Sequence, residues 1–201
     1  MPVSINGNTG VLTGIAVGGL PDGIVDTDML AAGAVTAAKR GAGAILQVVQ
    51  AVKTDNATLS VTQGSIVDLA GAGVGNLSPQ MAVSTVGNKV LIIPNICCGG
   101  VSGGMRITFT VGGSVSTFIG DAAGNRQRVS LESRSGSSGS MNTLTGLFLY
   151  TPSNTNNTTY GVAVSHADNA TLTLRINDSG SSDQDYHARQ ASSITLMEVA
   201  A

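Results

Sequence analysis

Residues 105–111, MRITFTV, decide the fold class of this chain because apolar and polar side chains alternate along them. In an extended strand the four apolar residues fall on one face and the three polar residues on the other. Residues 171–176, TLTLRI, show the same alternation. This pattern is typical of a sheet that has one buried face and one wet face. The sequence therefore predicts half-buried β-strands in both places.

Similar runs recur from residue 45 onward and are separated by turn-rich breaks such as VGNLSP, RSGSSGS and NDSGSSDQ. The further strands are predicted near 45–53, 57–62, 65–69, 80–86, 89–97, 115–119, 128–132, 144–151, 159–165 and 192–199. Short strands at this spacing favour a sandwich or a jelly roll. A parallel β-helix is the alternative, but no fixed repeat period supports it. We therefore expect an all-β fold with a jelly-roll-like β-sandwich head over residues 44–201.

Residues 1–43 have a different character, being rich in glycine and small residues and free of aromatic side chains. Such a segment cannot bury enough apolar surface by itself to offset the entropy of ordering it. It is nevertheless too rich in Val, Ile and Leu for a disordered tail. Small residues let identical chains approach closely. We therefore expect an extended N-terminal stalk whose apolar side chains meet those of neighbouring copies.

One short helix is predicted at the end of the stalk, over about 27–40. Asp26 or Thr27 can cap it, and Lys39 and Arg40 suit its C-terminal dipole. Its apolar stripe is shorter than three heptads, so an isolated coiled coil of this length is marginal. A short bundle is the favoured interpretation.

The composition limits the partners of this chain. It has three Phe, three Tyr and no Trp, so a monomeric core built from aliphatic residues is expected to be thin, and oligomerisation would supply the missing burial. A formal charge of −2 without a basic patch argues against nucleic acid and anionic membranes. No signal peptide and no apolar run of about 18 residues is present. We expect synthesis in a cytoplasm and no membrane insertion.

Cysteine and histidine patterns predict no metal site. Cys97 and Cys98 are adjacent, which excludes a disulfide framework, and they lack further zinc ligands, so both are interpreted as small hydrophobic residues.

Asp183, Asp185 and His187 would share one face of a strand or offer oxygen ligands from a loop. The calcium-loop pattern with its terminal Glu is absent, so a solvated turn is favoured.

His166 and Asp168 are also close in sequence, but no third ligand follows them at a useful spacing. His166 is interpreted as a residue at a strand end.

No enzyme and no cofactor are predicted. Hydrolysis of a glycan needs two carboxylates held across the substrate. The only glutamates, Glu132 and Glu198, each alternate with apolar residues and are therefore assigned to a wet sheet face. No nucleophile elbow and no nucleotide-binding glycine motif is present.

Three segments together carry a resemblance to a known class of proteins. They are residues 26–55 (DTDMLAAGAVTAAKRGAGAILQVVQAVKTD), residues 118–128 (FIGDAAGNRQR) and residues 150–201, which begin YTPSNTNNTTYGVAVSH. They resemble the tail-fibre-like structural proteins of tailed bacteriophages, particularly those of aquatic phages. The resemblance implies a homotrimer whose N-terminal part attaches to the virion and whose C-terminal β-sandwich faces outward to bind the host.

The expected function is that of a short homotrimeric tail fibre in the virion. Residues 1–43 would trimerise and dock on a tail, baseplate or capsid protein, and residues 44–201 would bind a host cell-surface glycan or lipopolysaccharide. A capsid decoration or head-fibre protein that stabilises the virion is the first alternative. A glycan-depolymerising tailspike is the second.

Polar loops are expected to carry host recognition, because small polar side chains on a rigid sandwich are adaptable hydrogen-bonding groups. Arg134 can form directed hydrogen bonds with anionic sugars, and Asn154 and Asn156 can donate and accept at once. Tyr186 and His187 supply flat side chains near a polar loop. These five residues are the predicted receptor-binding set.

Overall fold

The computed structural model describes residues 4–6, 11–13, 30–36, 39–99, 104–115, 117–134, 139–166, 171–180 and 188–201. The chain divides into two compact units, Met1–Gly41 and Ala42–Ala201. In the first unit, strands β1 (Ser4–Asn6) and β2 (Val11–Thr13) pair in antiparallel orientation.

The predicted helix over 27–40 is wrong for the part of it that the structure describes. Residues 30–36 form turns and bends, in which the Ala34 amide donates to the Ala31 carbonyl over 2.9 Å. Gly33 between them has a φ of +80°, which is incompatible with a continuing right-handed helix. The apolar residues of the stripe in this segment are exposed, so no packing compensates for the marginal stability of a short helix.

The second unit is built from strands alone within its described residues, and this confirms the predicted all-β class. Its strands are β3 (Ile45–Lys53), β4 (Ala57–Val61), β5 (Val67–Asp68), β6 (Gln80–Met81), β7 (Lys89–Gly99), β8 (Gly104–Val111), β9 (Leu131–Arg134), β10 (Met141–Thr145), β11 (Phe148–Tyr150), β12 (Thr158–His166), β13 (Leu172–Ile176) and β14 (Ser192–Val199). They form two antiparallel sheets.

The larger sheet has seven strands arranged around β7. Strands β14 and β13 pair with successive parts of one edge of β7, and β10 and β11 pair with successive parts of its other edge. Outside them, β3 pairs with β14 and β4 pairs with β13. Each of these three pairs of strands therefore acts as one interrupted strand beside its neighbour.

The smaller sheet has five strands. Strands β5 and β6 pair with the two ends of β12, β12 pairs with β8, and β8 pairs with β9. The main hydrophobic core includes buried residues from both sheets, as expected for a sandwich.

The second unit has an entry end and a distal end. The chain enters at residues 42–44, which are tied to the last strand because the Ala200 amide donates to the Ala44 carbonyl over 2.9 Å. The entry end is defined by the strand ends at Ile45, Lys89, Val111, Thr158 and Val199. The distal end is defined by the strand ends at Gly99, Gly104, Arg134, Met141 and His166.

The alternation predicted over residues 105–111 is confirmed on one face and wrong on the other. The four apolar residues are buried in the core, as expected. Thr108 and Thr110 on the opposite face are also buried instead of wet. Gln127 contacts this face, where its Nε2 donates to Ser165 Oγ over 3.2 Å. A segment distant in sequence thus contributes contacts on a surface that local periodicity marks as exposed.

Five aromatic residues form one cluster in the second unit. Phe148 lies 4.7 Å from Phe109 and 5.0 Å from Phe118, measured between ring centroids. Tyr150 continues the cluster, at 6.3 Å from Phe118 and 6.2 Å from Tyr160. Pairs at such distances contribute beyond the area they bury. The few aromatic residues are therefore concentrated where they strengthen the packing most.

Several strand boundaries differ from the prediction. No strand forms in the described part of 115–119, because Gly112 and Gly113 follow β8 with φ values of +58° and +82° and turn the chain away. The strand predicted at 128–132 begins later, at Leu131, and the one predicted at 80–86 ends at Met81. Glycines and turns set these boundaries, and apolar content does not reveal them.

Asn177 fixes the point where the outer strands of the larger sheet are interrupted. It is fully buried and has a φ of +62°. Its Nδ2 donates to the carbonyls of Lys53 and Asp55 over 2.8 and 3.0 Å, between β3 and β4. Its Oδ1 accepts from Ser192 Oγ over 2.6 Å, at the start of β14. The Asn177 side chain therefore connects the break between β3 and β4 with the break between β13 and β14.

Candidate functional site

A pocket of about 560 Å³ opens at the distal end of the smaller sheet. Strands β8, β9 and β12 supply part of its wall, and the segments before β5 and before β9 supply the rest. It is lined by Gln63, Gly64, Arg106, Asn125, Arg126, Gln127, Glu132, Arg134 and His166. The lining is therefore mainly polar and contains more arginine than carboxylate.

Glu132 links two of the arginines. Its Oε2 lies 3.3 Å from Arg106 Nε, and its Oε1 lies 3.1 Å from Arg134 Nε. The strands explain this arrangement, because Glu132 pairs with Arg106 across the sheet, and Arg134 follows two residues later on the same face. Burial raises the pKa of Glu132, but the hydrogen bonds from Arg134 and Arg106 outweigh it and hold the pKa below its usual value. The carboxylate is therefore ionised at neutral pH.

Arg106 is fixed, whereas Arg134 is largely in solvent. Arg106 Nη1 donates to Gln127 Oε1 over 3.0 Å and to the His166 carbonyl over 3.4 Å. The Arg106 side chain is 18% exposed and the Arg134 side chain 71%. Arg106 therefore belongs to the floor of the pocket and Arg134 to its rim.

Arg126 is the third arginine of the lining. It is exposed and has no ion-pair partner among the residues that the structure describes. An arginine that is not neutralised beside a pocket keeps its full charge and its planar set of donors for an incoming group.

His166 ends β12, as expected for a residue at a strand end, but it is buried. Its Nε2 lies 2.8 Å from the Val61 carbonyl oxygen. Because a carbonyl only accepts, this geometry assigns the proton to Nε2. His166 thus ties β12 to the neighbouring sheet at the back of the pocket. Asp168 lies outside the described residues.

The predicted receptor-binding residues do not form one surface in the part that the structure describes. Arg134 lines the distal pocket. Asn154 and Asn156 lie together in an exposed turn just before β12 begins, where Asn154 Oδ1 accepts from the Asn156 amide over 2.9 Å. The full length of β12, about 26 Å at 3.3 Å per residue, separates this turn from the distal end. Tyr186 and His187 lie outside the described residues, as do Asp183 and Asp185.

The prediction that Glu198 lies on a wet sheet face is wrong. Its exposure is only 1%, because the segment between β6 and β7 covers it. The carboxylate accepts from Gln47 Nε2, Asn88 Nδ2, and the amide and hydroxyl of Ser84, over 2.6 to 2.7 Å. Burial raises the pKa of Glu198, but these hydrogen bonds from Asn88, Ser84 and Gln47 together lower it below its ordinary value.

Glu198 and Glu132 lie at opposite ends of the second unit, since Glu198 pairs with Val90 at the entry end. This separation prevents the two glutamates from flanking a single glycosidic bond.

The two cysteines are free and buried. Cys98 is in the hydrophobic core, where burial, with a smaller effect from Cys97, raises its pKa to about 12. Cys97 points to the other side of β7, and its Sγ lies 3.3 Å from the Ala191 carbonyl. Neither thiol lines the pocket. In the described ranges no three His, Cys, Asp or Glu side chains gather as a metal site would require.

Of the pocket residues, the sequence analysis assigned only Arg134 to binding, and it assigned His166 to a strand end and Glu132 to a wet sheet face. Arg106 could have been recognised from the sequence as a candidate site residue, because an arginine is unusual inside a strand made otherwise of apolar residues and threonine. Arg126 and Gln127 stand in the segment FIGDAAGNRQR, which has no periodicity to place it. Their position beside β8 depends on tertiary packing.

Comparison with protein-family models and with curated proteins found no match to this sequence. The described residues include no helix that is both long and apolar enough to cross a membrane.

Proposed function

We propose that this chain is a virion structural protein of a tailed bacteriophage, a short homotrimeric tail fibre whose head binds a host surface glycan. The observation that carries the proposal is the strand order of the second unit, which we interpret as a jelly roll. This architecture recurs in viral coat proteins and in lectins.

Two short strands that pair with the same edge of one neighbouring strand can be counted as a single interrupted strand. Counting these along the chain gives the strand order of each sheet. Strands β3 with β4, β5 with β6, β10 with β11, and β13 with β14 then make four, and β7, β8, β9 and β12 complete eight. One sheet contains the first, eighth, third and sixth of these in order, and the other contains the second, seventh, fourth and fifth. Two Greek keys folded over each other produce this arrangement.

The location of the pocket supports a role in recognition. The chain enters the second unit at one end, and the arginine-rich pocket opens at the other. A domain tethered through its entry end presents its distal end to the surroundings. Binding residues concentrate at such loop-bearing ends, while the sheets provide stability.

An apolar face on the larger sheet supports the trimer. Val48, Met197, Leu91 and Leu149 stand side by side on its outer surface, one from each of four adjacent strands. Val48 is 56% exposed and Leu149 51%. A row of this kind marks an interaction surface. Since these four residues carry no charge, identical copies can bury them without repulsion, and a second and third copy are the proposed occupants.

Native mass spectrometry of the full chain tests the assembly. Wild-type protein should be a trimer, and Leu149→Lys should dissociate it, because a lysine in this row must be desolvated when copies associate. Val86→Lys is the matched control, since Val86 is exposed in the segment before β7 and is not part of this row. A wild-type monomer at micromolar concentration would contradict the homotrimer.

Labelling the chain on purified particles tests the proposed location. Antibody or gold label should mark the tail, and antibody against the second unit should reduce adsorption to host cells. Label confined to the capsid would contradict the tail-fibre assignment.

A capsid decoration protein is the second candidate, and the same apolar face favours it, because a flat apolar sheet can also lie on shell subunits. It predicts a monomer in solution, label on the capsid, and shells that lose stability when the protein is removed. Release of reducing sugars from host envelope material would instead favour a depolymerising tailspike.

A further inference from the structure

We propose that the distal pocket binds the carboxylate of an acidic saccharide, with Arg126 and Arg134 as the groups that hold the anion. The inference deepens the proposed function, on which it depends for the source of the sugar at a host surface. It names the ligand class and the residues that select it.

The charge of the pocket points to an anion. Three guanidinium groups face one carboxylate, and Glu132 is already shared between Arg106 and Arg134. Glu132 meets Arg134 only through Nε, and the terminal amino groups of Arg134 have no hydrogen-bond partner among the described residues. Arg126 has no ion pair there. Two exposed guanidinium groups therefore remain for one small anion, which arginine binds in a bidentate manner.

The neutral part of the lining suits a sugar. Gln63 and Asn125 contribute amides, which both donate and accept and thus match hydroxyl groups, while the Gln127 amide is held by Arg106 and Ser165. The lining contains no Phe, Tyr or Trp on which the apolar face of a sugar could stack, and the ring of His166 is buried. A neutral sugar would gain only hydrogen bonds that replace those with water, whereas a charged sugar also gains the attraction of the arginines. The volume lies within the range of ordinary ligand pockets.

The neutral part of the lining favours a sugar carboxylate over inorganic phosphate. The arginines attract either anion, because three guanidinium groups outnumber the single carboxylate of Glu132. A sugar carboxylate also brings hydroxyl groups to the neutral amides, whereas inorganic phosphate occupies only a small part of a pocket of about 560 Å³.

Calorimetric titration of the full chain tests the assignment with three probes: methyl glucuronide, methyl glucoside and inorganic phosphate. The first two differ mainly in the carboxylate. We expect methyl glucuronide to bind at least tenfold more tightly than either of the others, and its affinity to fall as salt is added.

Arg126→Gln should weaken methyl glucuronide binding at least tenfold. Lys89→Gln removes the same charge from an exposed position at the entry end and should leave binding unchanged. Equal binding of glucuronide and glucoside would overturn the role of the carboxylate. Tighter binding of phosphate would overturn the sugar assignment, and an unchanged affinity in Arg126→Gln would overturn the site.

The result is separable from the test of the virion role. If methyl glucuronide fails to bind while the chain is found on the phage tail, the pocket assignment fails and the fibre proposal stands. If the sugar binds with the expected residue dependence but the chain is absent from particles, the fibre proposal fails and the ligand assignment stands.

Discussion

Glu198 illustrates how a single buried carboxylate can organise a segment of irregular chain. Four donors from β3 and from the segment between β6 and β7 converge on it. A buried charge is costly unless hydrogen bonds replace its hydration. The complete set of donors makes Glu198 stabilising and fixes the segment that leads into the central strand β7.

Replacing Glu198 with alanine should lower the free energy of unfolding by about 3 kcal/mol, because several buried donors lose their acceptor. Glu198→Gln should cost less, since one acceptor oxygen remains. Denaturant unfolding followed by circular dichroism measures both. Glu132→Gln is the matched control on a partly exposed carboxylate and should cost about 1 kcal/mol or less. Equal effects at the two glutamates would contradict this account.

The same residue predicts a dependence of stability on pH. Its folded pKa lies below the unfolded value of about 4.3, so its contribution is fully present above that pH. The contribution is lost as the pH falls through the folded pKa. The stability difference between wild type and Glu198→Gln should therefore be constant from pH 5 to 7 and shrink below about pH 4. A difference that grows in acid would refute the lowered pKa.

At the scale of elements, Asn177 determines where the paired strands stop and resume. Replacing it with glycine should cost about 2 kcal/mol, because the left-handed backbone is retained while the hydrogen bonds to Lys53, Asp55 and Ser192 are lost. Alanine should cost more, because it adds backbone strain of about 1 kcal/mol. Thermal and denaturant unfolding measure both variants.

Asn76 provides the control for Asn177. It has a φ of +72° but is exposed, so Asn76→Ala tests the strain alone and should cost about 1 kcal/mol. Wild-type stability in Asn177→Gly would show that the side chain does not hold the strand interruptions.

The strands were predictable where one face enters the core, as over 105–111, because burial imposes a period of two on the sequence. The burial of Thr108 and Thr110 on the opposite face could not be predicted, because the alternation of residue types marks that face as exposed. Arg134 is the one pocket residue that the sequence identified as a binding residue. Its other charged residues come from separate segments whose proximity depends on sheet pairing. The prediction of a helix over residues 27–40 failed because the apolar side chains of its described part are exposed and pack against nothing.

At the scale of the whole molecule, the aromatic cluster changes the argument for oligomerisation. Composition alone suggested a core too thin for a monomer. Five of the six aromatic residues instead meet in one cluster within the second unit, which adds packing inside the chain that composition does not reveal. The case for a trimer therefore lies with the exposed row that includes Val48 and Leu149.

A truncated chain of residues 42–201 should fold by itself, because the second unit is a compact unit with its own core. The cut is placed before Gly43 because the Gly43 amide donates to the Ala200 carbonyl over 2.9 Å. Circular dichroism should show the same β content and a Tm within a few degrees of the full chain. Incorporation into particles should be lost. An unfolded product would contradict the independence of this unit, and normal incorporation would place virion attachment within it.

The hydrogen bond between Asn177 and Ser192 also bears on how the protein can diversify. Because Asn177 and Ser192 anchor the chain to the sheet on either side, we expect changes in the number of residues between them to leave the register of β13 and β14 unchanged. The entropy of closing a flexible chain segment grows slowly, by about 0.6 kcal/mol for each doubling of its length. Insertions there are inexpensive, so this position is suited both to natural sequence drift between related proteins and to the grafting of foreign peptides.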